Sequence, residues 1–151
     1  MDGYNSEWML LALQMAHEAF DDGEVPVGAV ITRNGELVAT GRNRREKAKN
    51  ALMHAEIDAI NNACKKLGGW RLWNCELYVT LEPCPMCAGA VINAHIPKVY
   101  FGAYDNKNGS CGTVTDLFSV PFTYRPQCFG GLMEEESATL LKGFFIKLRN
   151  K

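Results

Sequence analysis

The chain has 151 residues and a formal net charge of −1. That is long enough for one hydrophobic core, and the overall balance does not mark the whole chain as an obvious polyanion binder. Hydrophobic residues make up 47% and charged residues 22%, the proportions of a globular protein, and no apolar run reaches the ~18–20 residues that span a bilayer.

Ser6 to Asp22 places Trp8, Leu11, Ala12, Met15, Ala16 and Ala19 at helical spacing, which predicts an amphipathic helix. This first stretch carries acids, Gln14 and His17 without a basic leading segment. It does not read as a secretory signal, and the cytoplasm is the expected compartment. Val27 to Thr32 and Leu37 to Gly41 read as two strands joined by Asn34-Gly35, a strong two-residue hairpin turn. His54 to Leu67 is a predicted helix with Ile57, Ile60, Cys64 and Leu67 on one stripe, stopped by Gly68-Gly69. A strand at Leu77 to Thr80 leads into a helix that starts at Pro85, a residue suited to a first turn, and runs to Ala94. Lys98 to Gly102 is a strand followed by a glycine-rich loop. A short helix near Thr115 to Ser119, a weak strand near Gln127 and a helix from Met133 to Asn150 complete the chain. A hairpin feeding strand–helix–strand units predicts a mixed sheet covered by helices on both faces. The expected architecture is one domain, residues 1–151, folded as a three-layer α/β/α sandwich.

Charge is unevenly spread. Arg42 to Lys49 holds five basic residues and one acid, and Lys142 to Lys151 holds four basic residues and no acid. Such stretches are ordinarily solvated faces, and they gain meaning only beside a site.

Six cysteines stand at 64, 75, 84, 87, 111 and 128. A chain of this length needs no disulfide staples, and without an export signal reduced thiols are expected. Cys84 and Cys87 form a C-x-x-C pair, which suits half of a structural zinc site, a redox pair or two core thiols. A structural site typically uses two such pairs, and there is no second one. His54 and Glu56, at the start of the preceding helix, offer another arrangement. One imidazole and two thiolates supply three ligands to Zn²⁺ and leave one position for water, as catalytic sites do. Glu56 would then be the general base and acid beside that water. Taken alone, it reads better as an acid favoured at a helix N-terminus, and the catalytic reading needs His54 and the cysteine pair beside it.

The pattern His54-Ala55-Glu56 followed by Pro83-Cys84-Pro85-Met86-Cys87 resembles the H-x-E…P-C-x-x-C signature of zinc-dependent nucleobase deaminases. More narrowly, the chain is similar to the family of bacterial tRNA-specific adenosine deaminases. The likeness runs through EVPVGAV (24–30), RNR (42–44), MHAEI (53–57), WRLWNCELYVTLEPCPMCAGA (70–90), VYFGAYDNKNG (99–109) and the Phe144-Phe145 pair. The resemblance implies a cytidine deaminase-like fold with about five strands and one Zn²⁺ per subunit, held by His54, Cys84 and Cys87. It implies Glu56 as the proton shuttle in the hydrolysis of adenosine to inosine at the wobble position of a tRNA anticodon. It further implies a homodimer, tRNA as partner and no membrane association. In that family Asn43 hydrogen-bonds the purine, while Pro26, Val27 and Ala55 line the base pocket. Tyr104, Asp105 and Lys107 lie near the RNA backbone. Glu82 either orients a metal ligand or is simply an acid ahead of a helix.

Phe144 and Phe145 are informative from helix geometry. Neighbouring helical positions differ by about 100°, so both cannot sit at the centre of one apolar stripe. Phe144 fits the Leu141/Leu148 face. Phe145 falls beside Lys142 and Arg149, where an exposed ring among cations suits base stacking.

Two rivals remain. A guanine, cytosine or nucleoside deaminase would use the same zinc site, although EVPVG differs from the GPFG-like stretch of guanine deaminases. A nucleic-acid-binding domain with structural zinc would need a fourth ligand from Cys75, Cys111, Cys128, His17 or His95.

Overall fold

The computed structural model describes residues 3–151. Five helices and five strands follow in chain order: α1 (Ser6–Asp21), β1 (Gly28–Arg33), β2 (Glu36–Arg42), α2 (Arg45–Ala48), α3 (Ala55–Leu67), β3 (Cys75–Leu81), α4 (Pro85–Ala94), β4 (Lys98–Ala103), β5 (Gln127–Phe129) and α5 (Glu134–Arg149). A single 3₁₀ turn spans Leu117–Ser119. The strands form one sheet in the order β2-β1-β3-β4-β5. β1 pairs antiparallel with both β2 and β3, and β4 pairs parallel with β3 and β5. This is the mixed, helix-covered sheet that the element order predicts.

Alternation along the strands builds two cores. Val30, Tyr78 and Tyr100 face Met9 and Ala12 of α1. Ala29, Ile31, Leu77, Val79, Val99 and Phe101 point the other way, into a cluster with Ala55, Ala59, Ala63, Ala88 and Val91 of α3 and α4. The period of two along a strand dictates this split. The hairpin turn is as the Asn-Gly pair requires, with φ of 52° at Asn34 and 78° at Gly35.

The buried centre of α3 differs from the sequence expectation. Ala55, Ala59 and Ala63 are fully buried, while Ile57, Ile60, Cys64 and Leu67 flank them half-buried. The reason is close approach. A Cβ at Gly41 of β2 would overlap the backbone of Ala55 and Ala59, so helix and strand meet through glycine and alanines. In α5, Phe144 is buried but Leu148 is 51% exposed. From Phe145 onward every residue of that helix is exposed, although the Lys147 ammonium still lies 5.4 Å from the Phe20 ring centroid.

The short helix α2 has no periodic signal of its own. It forms because the buried carboxylate of Glu24 accepts hydrogen bonds from the backbone N–H of Glu46 (3.0 Å) and Lys47 (2.9 Å), satisfying orphan donors of its first turn.

The antiparallel β1–β3 register sets Ala29 opposite Val79, and the β1–β2 register sets Gly28 opposite Arg42. The start of β1, the end of β2 and the carboxyl ends of β3 and β4 therefore share one edge of the sheet. In open α/β sheets, ligands bind outside such carboxyl ends.

Candidate active site

His54 is the N-cap residue of α3 and Cys84 the N-cap residue of α4, both in extended conformation with no side-chain cap hydrogen bond. Their side chains are therefore free to turn toward one another past the helix ends. The His54 Nδ1 lies 3.6 Å from the Cys84 Sγ and 3.6 Å from the Cys87 Sγ. All three ligand atoms fall within 4.8 Å of one another. A tetrahedral zinc with Zn–S of about 2.3 Å and Zn–N of about 2.0–2.1 Å has S···N edges of roughly 3.5 Å. The donor set and its spacing fit that ion. Cys75, Cys111, Cys128, His17 and His95 stand outside the group, so the fourth protein ligand of a structural site is missing among the described residues.

The two sulfurs divide a proton unequally. The Cys87 thiol beside it, and then His54, hold the Cys84 thiol down to about 4. Cys87 is pushed far up by its hydrogen bond to Cys84 and by burial. Metal ligation needs both as thiolates, and the N-terminal ends of α3 and α4 favour negative charge at this point.

Glu56 sits in the first turn of α3 and is 4% exposed. Burial pushes its carboxyl up to about 7, and the charge of Cys84 adds to this. Polar contact with the Cys87 thiol works in the opposite direction, which places the carboxyl beside the donor trio. An acid raised in this way both accepts and returns protons near neutral pH.

His54, Glu56 and Cys84 line a cavity of about 490 Å³, within the range of small-ligand sites. Val27, Asn43, Ala55, Tyr104, Asp105, Lys107 and Phe145 are among the residues that line it. Pro26 is buried and is not among the lining residues. Val25 takes that place: the Val27 N–H bonds the Val25 carbonyl at 2.8 Å, closing a three-residue turn about Pro26 with both valines on the cavity. Phe144 packs edge-on against Phe20 and Phe145, at centroid distances of 5.6 and 5.4 Å, and does not line the cavity. Arg149 is exposed and outside the lining.

Asn43 is 6% exposed, and its Oδ1 accepts from the Arg45 N–H at 3.1 Å. The oxygen is thereby used, and the Nδ2 amide is left for a ligand acceptor. The strand end that carries it is tied to α3 by the buried Asp58, whose Oδ2 accepts from Arg42 N (3.0 Å) and Arg44 Nε (2.9 Å).

Several residues of this site carry no local sequence signal. Glu24 and Asp58 act through backbone donors far away in the chain. Arg45 lies inside the basic run, yet only tertiary contacts separate it from its neighbours. Arg42 pairs with Asp22 at 2.8 Å and Glu18 at 3.5 Å, Arg44 with Asp58 at 2.9 Å, and Lys47 with Asp22 at 3.2 Å. Arg45 instead lines the cavity.

The profile of the MafB19-like deaminase family matches residues 4–149. A tRNA-specific adenosine deaminase of Bacillus subtilis is 46% identical over 145 residues, covering 95% of this chain and 90% of the relative. One from Aquifex aeolicus is 42% identical, covering 95% of each. Among solved structures, one from a study of A-to-I editing by tRNA:A34 deaminases superposes with a TM-score of 0.87 at 42% identity, covering 90% of this chain and 99% of the other. A guanine deaminase of Bacillus subtilis aligns less well, with a TM-score of 0.66 at 33% identity over 83% of each chain. With the His54, Cys84 and Cys87 trio in place and likeness along nearly its whole length, the chain belongs to the tRNA-specific adenosine deaminase family.

Proposed function

We propose that the chain acts as one deaminase domain, residues 1–151, converting adenosine and water to inosine and ammonia at the wobble position of a tRNA anticodon. The observation that carries this is the His54/Cys84/Cys87 trio with 3.6 Å edges beside the buried Glu56, on a nucleoside-sized cavity. One Zn²⁺ per subunit fits the trio, and when bound it supplies Lewis acidity that makes water a nucleophile near neutral pH.

The chain's own residues supply the rest. Glu56 takes one proton from the attacking water and delivers it to N1 of the purine, then takes the second from the new C6 hydroxyl and passes it to the departing amine. The N–H groups at the start of α4, the Cys84 N–H first among them, offer fixed dipoles to the oxygen forming at C6. Asn43 donates its Nδ2 hydrogens to a ring nitrogen. Val25, Val27 and Ala55 flank the base and exclude water from it. A wobble adenosine is already unpaired, which lowers the cost of turning it into the cavity. Phe145, 42% exposed at the cavity rim, offers a stacking surface to a neighbouring base. Tyr104, Asp105 and Lys107 line the same cavity and would meet the RNA backbone.

A homodimer is part of this reading. Trp70, Trp73 and Phe122 are exposed, Trp70 and Trp73 both meet His95 edge-on and Trp70 and Phe122 line one cleft, an apolar surface suited to a second copy, and sedimentation of the zinc-loaded protein in the ultracentrifuge would read its mass. No helix of the described residues is long and apolar enough to cross a membrane, and the cytoplasm, where tRNA is found, is the proposed compartment.

The test is mass-spectrometric detection of inosine in an anticodon stem-loop incubated with zinc-loaded protein. Ammonia release from free guanine or cytidine, with none from the RNA, would favour the rival deaminase reading.

A further inference from the structure

Glu82 lies between β3 and α4, two residues ahead of Cys84, and is 1% exposed. The sequence offers two readings, an orienter of a metal ligand or an acid ahead of a helix, and the side chain instead bonds a distant loop. Its Oε1 accepts from the Asp105 N–H at 3.1 Å and the Thr113 hydroxyl at 2.5 Å. Its Oε2 accepts from the Cys111 N–H at 3.0 Å and the Thr113 N–H at 3.2 Å. All four bonds come from the loop that follows β4. Among the described residues, none goes to His54, Cys84 or Cys87.

The loop is shaped around this carboxylate. A Cβ at Gly109 would sit 2.5 Å from the Glu82 carboxyl carbon, so the loop passes over the acid where only glycine fits. Asp105 Oδ1 accepts from the N–H groups of Lys107 (3.0 Å) and Asn108 (3.1 Å), tightening the turn just past the Glu82 contact. The stretch so held, Tyr104 to Asn108, lines the cavity, as Glu82 itself does. A buried carboxylate with both oxygens engaged is among the stronger hydrogen-bonding anchors available, and its donors are costly to leave without an acceptor.

We propose that Glu82 is a positioning residue for the Tyr104–Thr113 loop, holding the wall against which the RNA rests, while the geometry of the donor trio is set by the starts of α3 and α4. This rests on the RNA deaminase reading above. A Glu82→Gln change keeps the shape but turns an acceptor into an NH₂ facing loop donors. Thr113→Val removes one bond from the loop side.

The experiment compares zinc-loaded wild type, Glu82→Gln and Thr113→Val on an anticodon stem-loop. It adds amide hydrogen exchange of residues 104–113 and the thiolate–cobalt absorption of Co²⁺-substituted protein. The expected result for Glu82→Gln is faster exchange confined to this loop, a KM raised about tenfold or more with a smaller fall in kcat, and an unchanged cobalt spectrum. Thr113→Val should shift the same quantities less. An altered cobalt spectrum with unchanged loop exchange would make Glu82 a supporter of the metal ligands and overturn the proposal. Unchanged KM and exchange would overturn it as well. If Glu82→Gln does not fold, Thr113→Val decides by the same two readouts. If the wild type forms no inosine, the RNA reading fails, while loop exchange and the cobalt spectrum still report where Glu82 acts.

Discussion

The His54 Nδ1 and the Cys84 Sγ lie 3.6 Å apart, thirty residues distant in the chain, each at the cap of its own helix. Chain ends of this kind meet only when both helices start at one edge of the sheet. The trio should therefore take up about one equivalent of zinc, and Cys87→Ala should take up almost none, as measured by elemental analysis of the purified proteins. Chelation should lower the melting temperature of the wild type and leave that of Cys87→Ala unmoved.

Glu56 is buried beside the trio but is not one of its ligand atoms. Glu56→Gln should keep zinc content, fold and RNA affinity while turnover falls by about 10²–10⁴-fold. Single-turnover inosine formation, run beside zinc analysis and circular dichroism, checks this. Retained turnover would remove Glu56 from the proton-transfer role.

The two adjacent phenylalanines should separate cleanly. Phe144 is 8% exposed and packs on Phe20, so Phe144→Ala should cost about 3 kcal/mol of stability in denaturant titration. Phe145 is 42% exposed at the cavity. Phe145→Ala should leave the denaturation midpoint nearly in place and weaken RNA binding by about 1–3 kcal/mol in filter binding or anisotropy.

Among the basic residues from 42 to 49, Arg45 borders the cavity while Arg42, Arg44 and Lys47 are held by acids of the chain. Arg45→Gln should reduce the slope of log affinity against log salt by about 0.7 for one single-strand phosphate contact. Arg42→Gln should leave the slope as it is and lower stability slightly. Equal slopes for wild type and Arg45→Gln would remove Arg45 from phosphate binding.

Gly41 presses against the first turns of α3, where a methyl group would overlap the Ala55 and Ala59 backbone. Gly41→Ala should destabilise by about 1–3 kcal/mol. Because α3 carries His54 at its cap, zinc affinity should fall with it, which a competition titration against a chromophoric chelator would show.

Much of this protein is written in short-range patterns. Helix and strand periodicities, the Asn34-Gly35 turn and Pro85 at a first helical turn depend on residues a few positions apart, and the elements appear where those patterns place them. The His-x-Glu and Cys-x-x-Cys pairs are local too, since each opens a helix, and with the family likeness they name the chemistry. Contacts between distant segments follow a different logic. Glu24 shaping α2, Asp58 holding the strand end before Asn43, and Glu82 gripping a loop twenty to thirty residues away arise from strand order and helix docking. A carboxylate bonds whichever donors the fold carries to it, and nothing in its sequence neighbours names them. The same holds for the cations, where docking of α1 beside β2 neutralises Arg42 and leaves Arg45 at the cavity. The tight turn about Pro26, closed by the Val27 N–H on the Val25 carbonyl at 2.8 Å, likewise leaves Val25 and Val27, and not Pro26, on the cavity. Periodicity specifies which face of an element is apolar, but the partner that face or charge meets is set by the packing of the whole sheet.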